Sequence, residues 1–377
     1  MANASAFFIK EHLGQVCSAP QTNCQVQTTD IGVFPMSKKS FLAFVAFLAL
    51  LFSYQTSLAS EKSKTVTIQN NYTAYLKKEK RGQPDNQKAI TEQLKVPYKP
   101  KKVIVFDMGA LDTLTALGVE KSVAGIPKGQ NAVNLLPDNL KKIYQKDAFQ
   151  NVGSLFEPNF ETIASIQPEI IFLGARMASV DNLTKLKEAA PKAAIVYGGI
   201  DAKKPFDQAV EERLEMFGRI YGKKKKAKAY QKKLTLSLKR LKKSVKAKKN
   251  PTALFVMANS AELLTQSPAG RFGWIYQVAG FVPVNKEEKL STHGSPVSYE
   301  YISEKNPDYL FVLDRGATLG QAASAKKLLA NDVIKECKAV KLKHVHEVDG
   351  RDWYINAGGI RVTLRMIADL QDFLDKN

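Results

Sequence analysis

The chain has 377 residues, enough for two domains of ordinary size, and its 44% hydrophobic and 24% charged residues are typical of a soluble globular protein. Its 56 Lys and Arg residues outnumber 36 Asp and Glu residues, and the net charge of +20 suits a nucleic acid, an anionic surface or an anionic ligand. A solvated cationic surface is the simpler alternative. The sequence shows no RNP motif, zinc-finger spacing or helix-turn-helix pattern, so we expect no nucleic-acid partner.

The N-terminal part of the chain contains the pattern of an export signal. A positive segment at 37–40 precedes an uninterrupted apolar run at 41–52, and small residues follow at 57–59. The apolar run is too short to cross a bilayer, which needs about 20 residues. We therefore predict a cleavable signal peptide at 36–59 and a protein exported to a periplasm. A membrane anchor formed by the apolar run is the alternative.

The segment before this signal and the cysteines refine that prediction. Export signals normally begin a chain, so Met36 is the expected start and residues 1–35 are predicted to be a mis-called N-terminal extension. Cys17 and Cys24 lie in that extension, which leaves Cys337 alone and predicts no disulfide within one mature molecule. No cysteine follows the apolar run at the cleavage point, so a lipid anchor is not expected.

Short apolar runs alternate with amphipathic helices along most of the remaining chain. The predicted strands are at 65–68, 101–107, 123–127, 169–173, 193–197, 252–257, 308–313 and 340–348. The predicted helices are at 110–117, 160–166, 180–190, 206–221, 223–249, 273–280, 299–304, 322–330, 332–337 and 360–374. This alternation predicts an α/β fold of mostly parallel sheets, with ligands at the carboxyl ends of the strands.

A lysine-rich helix at 223–249 divides the chain into two segments of similar pattern. Gly222 precedes this helix and Asn250-Pro251 ends it. We predict an N-terminal lobe at 60–222, this inter-lobe helix, and a C-terminal lobe at 250–377. One continuous α/β sheet with a long surface helix is the alternative.

The two segments share a local repeat, in which Glu161 corresponds to Glu300 and Arg176 to Arg315 at the same spacing. Each of these arginines lies one to three residues after a predicted strand, and Arg271 lies shortly before a predicted helix, where backbone donors also favour anions. Three guanidinium groups at one cleft would bind a compact anion, although a single arginine is more often a surface ion pair. Each glutamate lies at a helix start, where it complements the helix dipole or forms half of a symmetric docking pair.

Four further side chains could bind a metal. His293 lies in a loop beside glycine, and Tyr354 lies between Trp353 and Ile355. Imidazole and phenolate could together complete the coordination of a chelated ferric ion, or simply line a polar cleft. His344 and His346 alternate on a predicted strand, which suggests either a metal site or an exposed polar strand face.

Five segments show a resemblance to a known family: VIVFDMGALDTLTALG (103–118), NFETIASIQPEIIFLGAR (159–176), GRFGWIYQVAG (270–280), THGSPVSYEYISEKNPDYLFVLDR (292–315) and WYINAGG (353–359). From about residue 65 onward the chain resembles the class III periplasmic binding proteins of ABC importers, in the iron-siderophore and cobalamin group. Within that group it is most similar to the enterochelin-type, or catecholate siderophore, binding proteins. The resemblance implies two Rossmann-like lobes on one rigid helix, with small closure motions.

The resemblance also implies roles for the candidate residues. It implies that His293 and Tyr354 ligate ferric iron directly, while Arg176, Arg271 and Arg315 bind the anionic chelate. No intrinsic cofactor is implied, because the ferric iron arrives as a siderophore complex.

The family's rim glutamates match Glu161 and Glu300, which implies docking to an inner-membrane ABC permease that works with its ATPase. We expect a monomer. The sequence departs from the family pattern at Ser295, where a lysine is expected, and in the basic linker, which leaves the siderophore preference open.

We therefore predict a periplasmic receptor for a ferric catecholate siderophore of the enterobactin type, its bis-catecholate fragments or petrobactin, and no enzyme activity. The same fold could bind cobalamin, haem or a carboxylate siderophore instead. From different functional classes, the chain could be a metal-dependent enzyme that uses His344 and His346, or an exported protein that binds nucleic acid or the envelope through its positive charge.

Overall fold

The structure is a computed structural model that describes residues 64–80, 83–259, 262–285, 294–323 and 325–377. The predicted extension, the predicted signal peptide and the predicted iron ligand His293 lie outside these residues, so each stays a prediction. Within the described ranges no helix is both long enough and apolar enough to cross a membrane.

Strands and helices alternate along the described chain. The strands are β1 (Thr65–Tyr75), β2 (Gln87–Pro97), β3 (Val103–Val105), β4 (Val123–Ile126), β5 (Gln150–Asn151), β6 (Ile170–Leu173), β7 (Ala194–Tyr197), β8 (Thr252–Asn259), β9 (Glu262–Thr265), β10 (Val282–Pro283), β11 (Ser295–Val297), β12 (Tyr309–Asp314) and β13 (Val345–Glu347). The helices are α1 (Met108–Leu117), α2 (Asp138–Tyr144), α3 (Phe160–Ile166), α4 (Val180–Ala189), α5 (Phe206–Ile220), α6 (Lys224–Ala247), α7 (Trp274–Gln277), α8 (Tyr299–Lys305), α9 (Arg315–Thr318), α10 (Ala325–Leu329), α11 (Asp332–Lys335), α12 (Lys338–Lys341) and α13 (Ile360–Lys376).

Two sheets form the framework of the fold. The first has the order β5-β4-β3-β6-β7 and is parallel throughout. The second has the order β11-β9-β8-β12-β13, in which β8, β12 and β13 are parallel, β9 is antiparallel to both of its neighbours β8 and β11, and β10 pairs in parallel with the start of β8. Every residue of β6 and of β12 is buried, as expected for strands covered on both faces. The predicted α/β fold of mostly parallel sheets is confirmed.

The predicted lysine-rich helix is observed as α6. It buries a narrow stripe that consists of Ala227, Leu234, Leu241 and Val245 and packs against α5 and α13. Both sheets and this helix belong to one compact unit, so the division into lobes at 60–222 and 250–377 stays a prediction.

The repeat that relates Glu161 to Glu300 is visible in the hydrogen bonds at the helix ends. Asn159 accepts a bond from the Thr162 amide at 3.0 Å at the start of α3, and Ser298 accepts one from the Tyr301 amide at 3.2 Å at the start of α8. Each helix then ends at a residue in the left-handed region and leads through a proline into a buried strand. Equivalent caps therefore orient β6 and β12, and the segments that follow them, in the same way.

The hairpin of β1 and β2 was only partly predicted, as a short edge strand at 65–68. Its two strands pair over 11 residues each, although much of the hairpin is exposed. The side chain of buried Asn70 attaches the hairpin to the first sheet. Its Nδ2 donates to the Ile195 carbonyl at 3.1 Å, and its Oδ1 accepts from the Tyr197 backbone amide at 2.8 Å. A polar side chain thus bonds to the backbone of β7 in the way that a neighbouring strand would. Apolar periodicity does not predict such a contact.

The prediction of one strand at 340–348 was wrong for its first half. Residues Lys338–Lys341 form α12, and Lys343 adopts a left-handed conformation with φ 60° before β13 begins. The Lys338 amide donates to Asn306 at 2.7 Å, so a tertiary contact supports a helix start in a segment whose apolar residues alternate.

A buried carboxylate joins the N-terminal part of the fold to the last helix. Asp112 in α1 is fully buried and accepts bonds from the Arg361 amide at 2.8 Å, the Arg361 Nε at 3.0 Å and the Val362 amide at 3.2 Å. It therefore caps the start of α13 and forms an ion pair there. Gly109, one turn earlier, permits this approach, since a Cβ would lie 2.8 Å from the Ala357 carbonyl oxygen.

Replacement of Asp112 tests this connection. We expect Asp112→Ala to lower the free energy of unfolding by about 3 kcal/mol, because it leaves the partly buried Arg361 cation and two helix amides without an acceptor. Urea unfolding followed by circular dichroism measures the change. The exposed pair of Asp181 and Lys185 supplies the control, and Asp181→Ala should cost below about 1 kcal/mol. Similar losses in both variants would contradict the proposed connection.

Candidate ligand-binding site

The three predicted arginines lie close to one residue, Tyr354. Arg176 follows β6, Arg315 begins α9 directly after β12, and Arg271 lies between β9 and α7. Tyr354 belongs to a short π-helical turn, Arg351–Ile355, that precedes α13. The carboxyl ends of strands from both sheets therefore supply cations to the same place, as expected for ligand sites of α/β folds.

Each guanidinium group contacts Tyr354 directly. Arg176 Nη2 donates to the Tyr354 carbonyl at 3.0 Å, and Arg271 Nη2 donates to the same carbonyl oxygen. Arg315 Nε donates to the Tyr354 phenol oxygen at 3.2 Å, while its Nη1 donates to Asn259 at 2.8 Å. The guanidinium carbons of Arg271, Arg176 and Arg315 lie 4.5, 5.8 and 5.8 Å from the ring centroid. One tyrosine thus holds three cations through its carbonyl, its hydroxyl and its ring face.

The positive charge changes the acidity of this tyrosine. Burial by itself would raise the pKa of the Tyr354 phenol, but the hydrogen bond from Arg315 and the charges of the three arginines lower it below the ordinary tyrosine value. The phenolate form is therefore stabilised, and the phenolate is a donor that suits ferric iron. Whether the three arginines bind an anionic chelate, as the sequence predicts, stays a prediction, and so does iron ligation by Tyr354.

Tyr75, at the end of β1, is a supporting residue that the sequence did not identify. Its hydroxyl donates to the Arg176 carbonyl at 2.9 Å, and its amide donates to the Ala178 carbonyl at 2.9 Å. The hairpin therefore fixes the backbone of the segment that carries Arg176. Tyr75 lies in a segment that reads as polar, so no local sequence pattern predicts this contact.

Both tryptophans of the chain lie behind the site in an aromatic stack. Trp353 is buried next to Tyr354 and contacts Trp274 with ring centroids 5.0 Å apart. Phe206, at the start of α5, stacks on Trp274 at 5.6 Å. This stack places two fluorophores beside the arginines. The sequence signal for it was that both tryptophans occur in segments that also carry a predicted site residue, GRFGW and WYINAGG.

The predicted docking residues Glu161 and Glu300 are both exposed and lie in the first turns of α3 and α8. Bonds from the Glu300 backbone amide and from Ser298 lower the pKa of the Glu300 carboxyl, so this residue is also a capping charge. Glu161 borders a surface depression formed by segments 129–130 and 153–161. The docking role of both glutamates stays a prediction.

The two histidines of the predicted pair contact different side chains. His344 precedes β13, its Nδ1 donates to the Asp308 carbonyl at 3.0 Å, and its ring stacks on Tyr309. His346 bonds to Asp369 at 2.7 Å and stacks on Phe373. Among the described residues no group of three or more His, Cys, Asp or Glu side chains could hold a metal ion. Each histidine therefore has hydrogen-bond and stacking partners of its own.

Comparison with known proteins agrees with this architecture. The family model described as periplasmic binding protein matches residues 103–351. The petrobactin-binding protein YclQ of Bacillus subtilis is 39% identical over 282 residues, which cover 75% of this chain and 85% of that protein. The ferric-anguibactin-binding protein FatB of Vibrio anguillarum is 26% identical over 281 residues, 74% of this chain and 83% of that protein.

Solved structures show the same fold. The crystal structure of YclQ from Bacillus subtilis has a TM-score of 0.69 and 34% identity, and the match covers 81% of this chain and 99% of that one. The periplasmic catecholate-siderophore binding protein VctP from Vibrio cholerae has a TM-score of 0.67 and 26% identity, with 82% of this chain and 100% of that one covered.

The acidity of Tyr354 can be measured directly. We expect its phenol to ionise at lower pH than an ordinary tyrosine, and Arg315→Gln should raise its pKa because a hydrogen bond and a positive charge are lost. Ultraviolet difference titration measures phenolate, and subtraction of the Tyr354→Phe titration isolates this residue. An unchanged titration in Arg315→Gln would show that the arginine does not stabilise the phenolate.

Proposed function

The chain belongs to the periplasmic binding protein family, and we propose that it binds a ferric catecholate siderophore outside the cytoplasm and delivers it to an ABC importer. The observation that carries this proposal is the cluster of Arg176, Arg271 and Arg315 around Tyr354. The names of YclQ and VctP, which specify petrobactin and a catecholate siderophore, support this ligand class.

Charge provides the first part of the recognition. A ferric tris-catecholate carries about three negative charges, and three guanidinium groups can offset them in a partly desolvated site. The arginines presently donate to the carbonyl and phenol of Tyr354, so an incoming anion would exchange weak neutral acceptors for charged ones. This exchange favours an anionic chelate over a neutral one.

Direct ligation provides the second part. A tetradentate bis-catecholate leaves two positions on ferric iron, which we assign to Tyr354 and His293. The lowered pKa of Tyr354 reduces the cost of forming the phenolate that binds the metal. The protein then needs no cofactor of its own, because the iron is cargo that the siderophore brings and removes. We accordingly propose a binding protein and not an enzyme.

The remaining proposals concern location and partners. We propose that the signal peptide at 36–59 is cleaved after Ala59 and that the mature protein acts as a periplasmic monomer without a lipid anchor. Glu161 and Glu300 would contact basic groups of an inner-membrane permease that works with its ATPase. Their equivalent exposed positions at the starts of α3 and α8 support a symmetric contact.

Siderophore binding distinguishes this ligand class from the alternatives. Quenching of Trp274 and Trp353 fluorescence should report binding of ferric tetradentate and hexadentate catecholates, because both rings lie beside the site. Quenching by cobalamin, haem or ferric citrate, with none by ferric catecholates, would overturn the proposed ligand class.

The two proposed iron ligands give a sharper prediction. We expect His293→Ala and Tyr354→Phe each to weaken a tetradentate ferric bis-catecholate by about 10-fold or more, a loss of about 1.4 kcal/mol. A hexadentate ferric tris-catecholate fills the iron coordination itself and should lose less than about 3-fold. Tyr230→Phe in α6 is the matched control and should change neither affinity. Equal losses for both chelates would contradict direct ligation.

The rim glutamates should affect delivery and not binding. We expect Glu161→Lys together with Glu300→Lys to abolish uptake of radiolabelled ferric siderophore by cells that depend on this protein, because the charge contact is reversed. Fluorescence titration should give unchanged affinity. Exposed Glu188 provides the control, and Glu188→Lys should leave uptake intact. Normal uptake with both rim charges reversed would exclude the docking role.

A further inference from the structure

The lysine-rich helix carries a high density of positive charge, and the proposed function does not use this charge. Residues 223–249 contain 14 Lys and Arg residues and no Asp or Glu, in a chain whose net charge is +20. A structural helix that docks through one stripe does not require such an excess. Like charges on neighbouring turns also destabilise a helix.

The charge of α6 lies on its outer side. Its buried stripe faces α5 and α13, and helical periodicity places one row of residues directly opposite, namely Lys225, Lys232, Leu236, Lys239 and Lys243. All five are exposed. In the part of the chain that the structure describes, Arg240 alone among the helix cations forms an ion pair, with exposed Asp375 at 3.1 Å. Most of this charge is therefore not neutralised by described side chains.

This face lies on the opposite side of the fold from the arginine site. The chain enters α6 beside the amino end of β3, where the Lys99 amide donates to the Ile220 carbonyl at 2.8 Å. It leaves α6 directly before the amino end of β8. Arg176 and Arg315 instead follow the carboxyl ends of β6 and β12, which run parallel to β3 and β8. A partner on α6 would thus leave the arginine site uncovered.

We propose that the outer face of α6 binds a linear phosphodiester polymer of the cell envelope. The helix is 24 residues or about 36 Å long, and its outer row from Lys225 to Lys243 spans about 27 Å, which complements a chain of regularly spaced phosphates. Such contacts hold the receptor in the envelope by charge while its ligand site stays accessible. This inference stands independently of the ligand proposed for the arginine site.

Other anionic partners fit this face less well. A helix that lies in a bilayer surface needs an apolar face to insert, whereas the apolar stripe of α6 is buried and Leu236 is the large apolar side chain exposed on its outer row. Single-stranded nucleic acid is bound with aromatic stacking platforms, and the one aromatic residue of α6, Tyr230, packs partly buried against the core.

A charge-matched pair of variants tests the proposal. The first variant combines Lys225→Gln, Lys232→Gln, Lys239→Gln and Lys243→Gln on α6. The control combines the same change at four exposed lysines elsewhere, Lys142→Gln, Lys187→Gln, Lys192→Gln and Lys327→Gln. Both variants have the same net charge, so a difference between them reports the position of the charge. Circular dichroism should show that both proteins are folded.

The probe is fluorescein-labelled poly(glycerol phosphate), with binding followed by anisotropy across a salt series. We expect the α6 variant to bind the polymer at least about 10-fold more weakly than the control variant. We also expect the slope of log K against log salt to be shallower for the α6 variant, by up to about 3. Equal affinities for the two variants would overturn the proposal. Tighter binding of phosphatidylglycerol vesicles or single-stranded DNA than of the polymer would also overturn it, in favour of that partner.

Discussion

The convergence of three guanidinium groups on Tyr354 is the interaction on which the site depends. Like charges at this separation repel each other, and the carbonyl, hydroxyl and ring of one residue offset part of that repulsion. The same contacts lower the pKa of the phenol. A site assembled in this way is prepared for an anion and for a metal that prefers an oxygen donor, and both properties arise from one arrangement of charge.

The fold brings these groups together because parallel strands end at the same edge of each sheet. Matching caps at Asn159 and Ser298 orient β6 and β12 equivalently, so the segments after both strands reach the same region. Asp112 fixes the start of α13, which directly follows the turn that carries Tyr354. The first sheet, the second sheet and the last helix must therefore all be in place before the arginine cluster can form.

Charge is distributed unevenly over the molecule, and its two main concentrations lie at opposite ends of the sheets. The arginine cluster is partly buried and small, which suits a discrete ligand. The charge on α6 is exposed and extended, which suits a polymer and depends strongly on salt. The net charge of +20 does not distinguish a ligand site from a polymer-binding face, because the arginine cluster and α6 both contribute to it.

Much of the fold follows from the sequence by itself, because apolar periodicity reports which face of each element is buried. It determined the α/β alternation and the long helix at 223–249, and residues that match at one spacing revealed the repeat that pairs Arg176 with Arg315. Tertiary structure decided the rest. Asn70 and Tyr75 attach the hairpin through side-chain bonds to segments far along the chain, and Tyr354 contacts arginines from three separate segments. Such contacts are made by polar groups whose partners are distant in sequence, so no local pattern contains them.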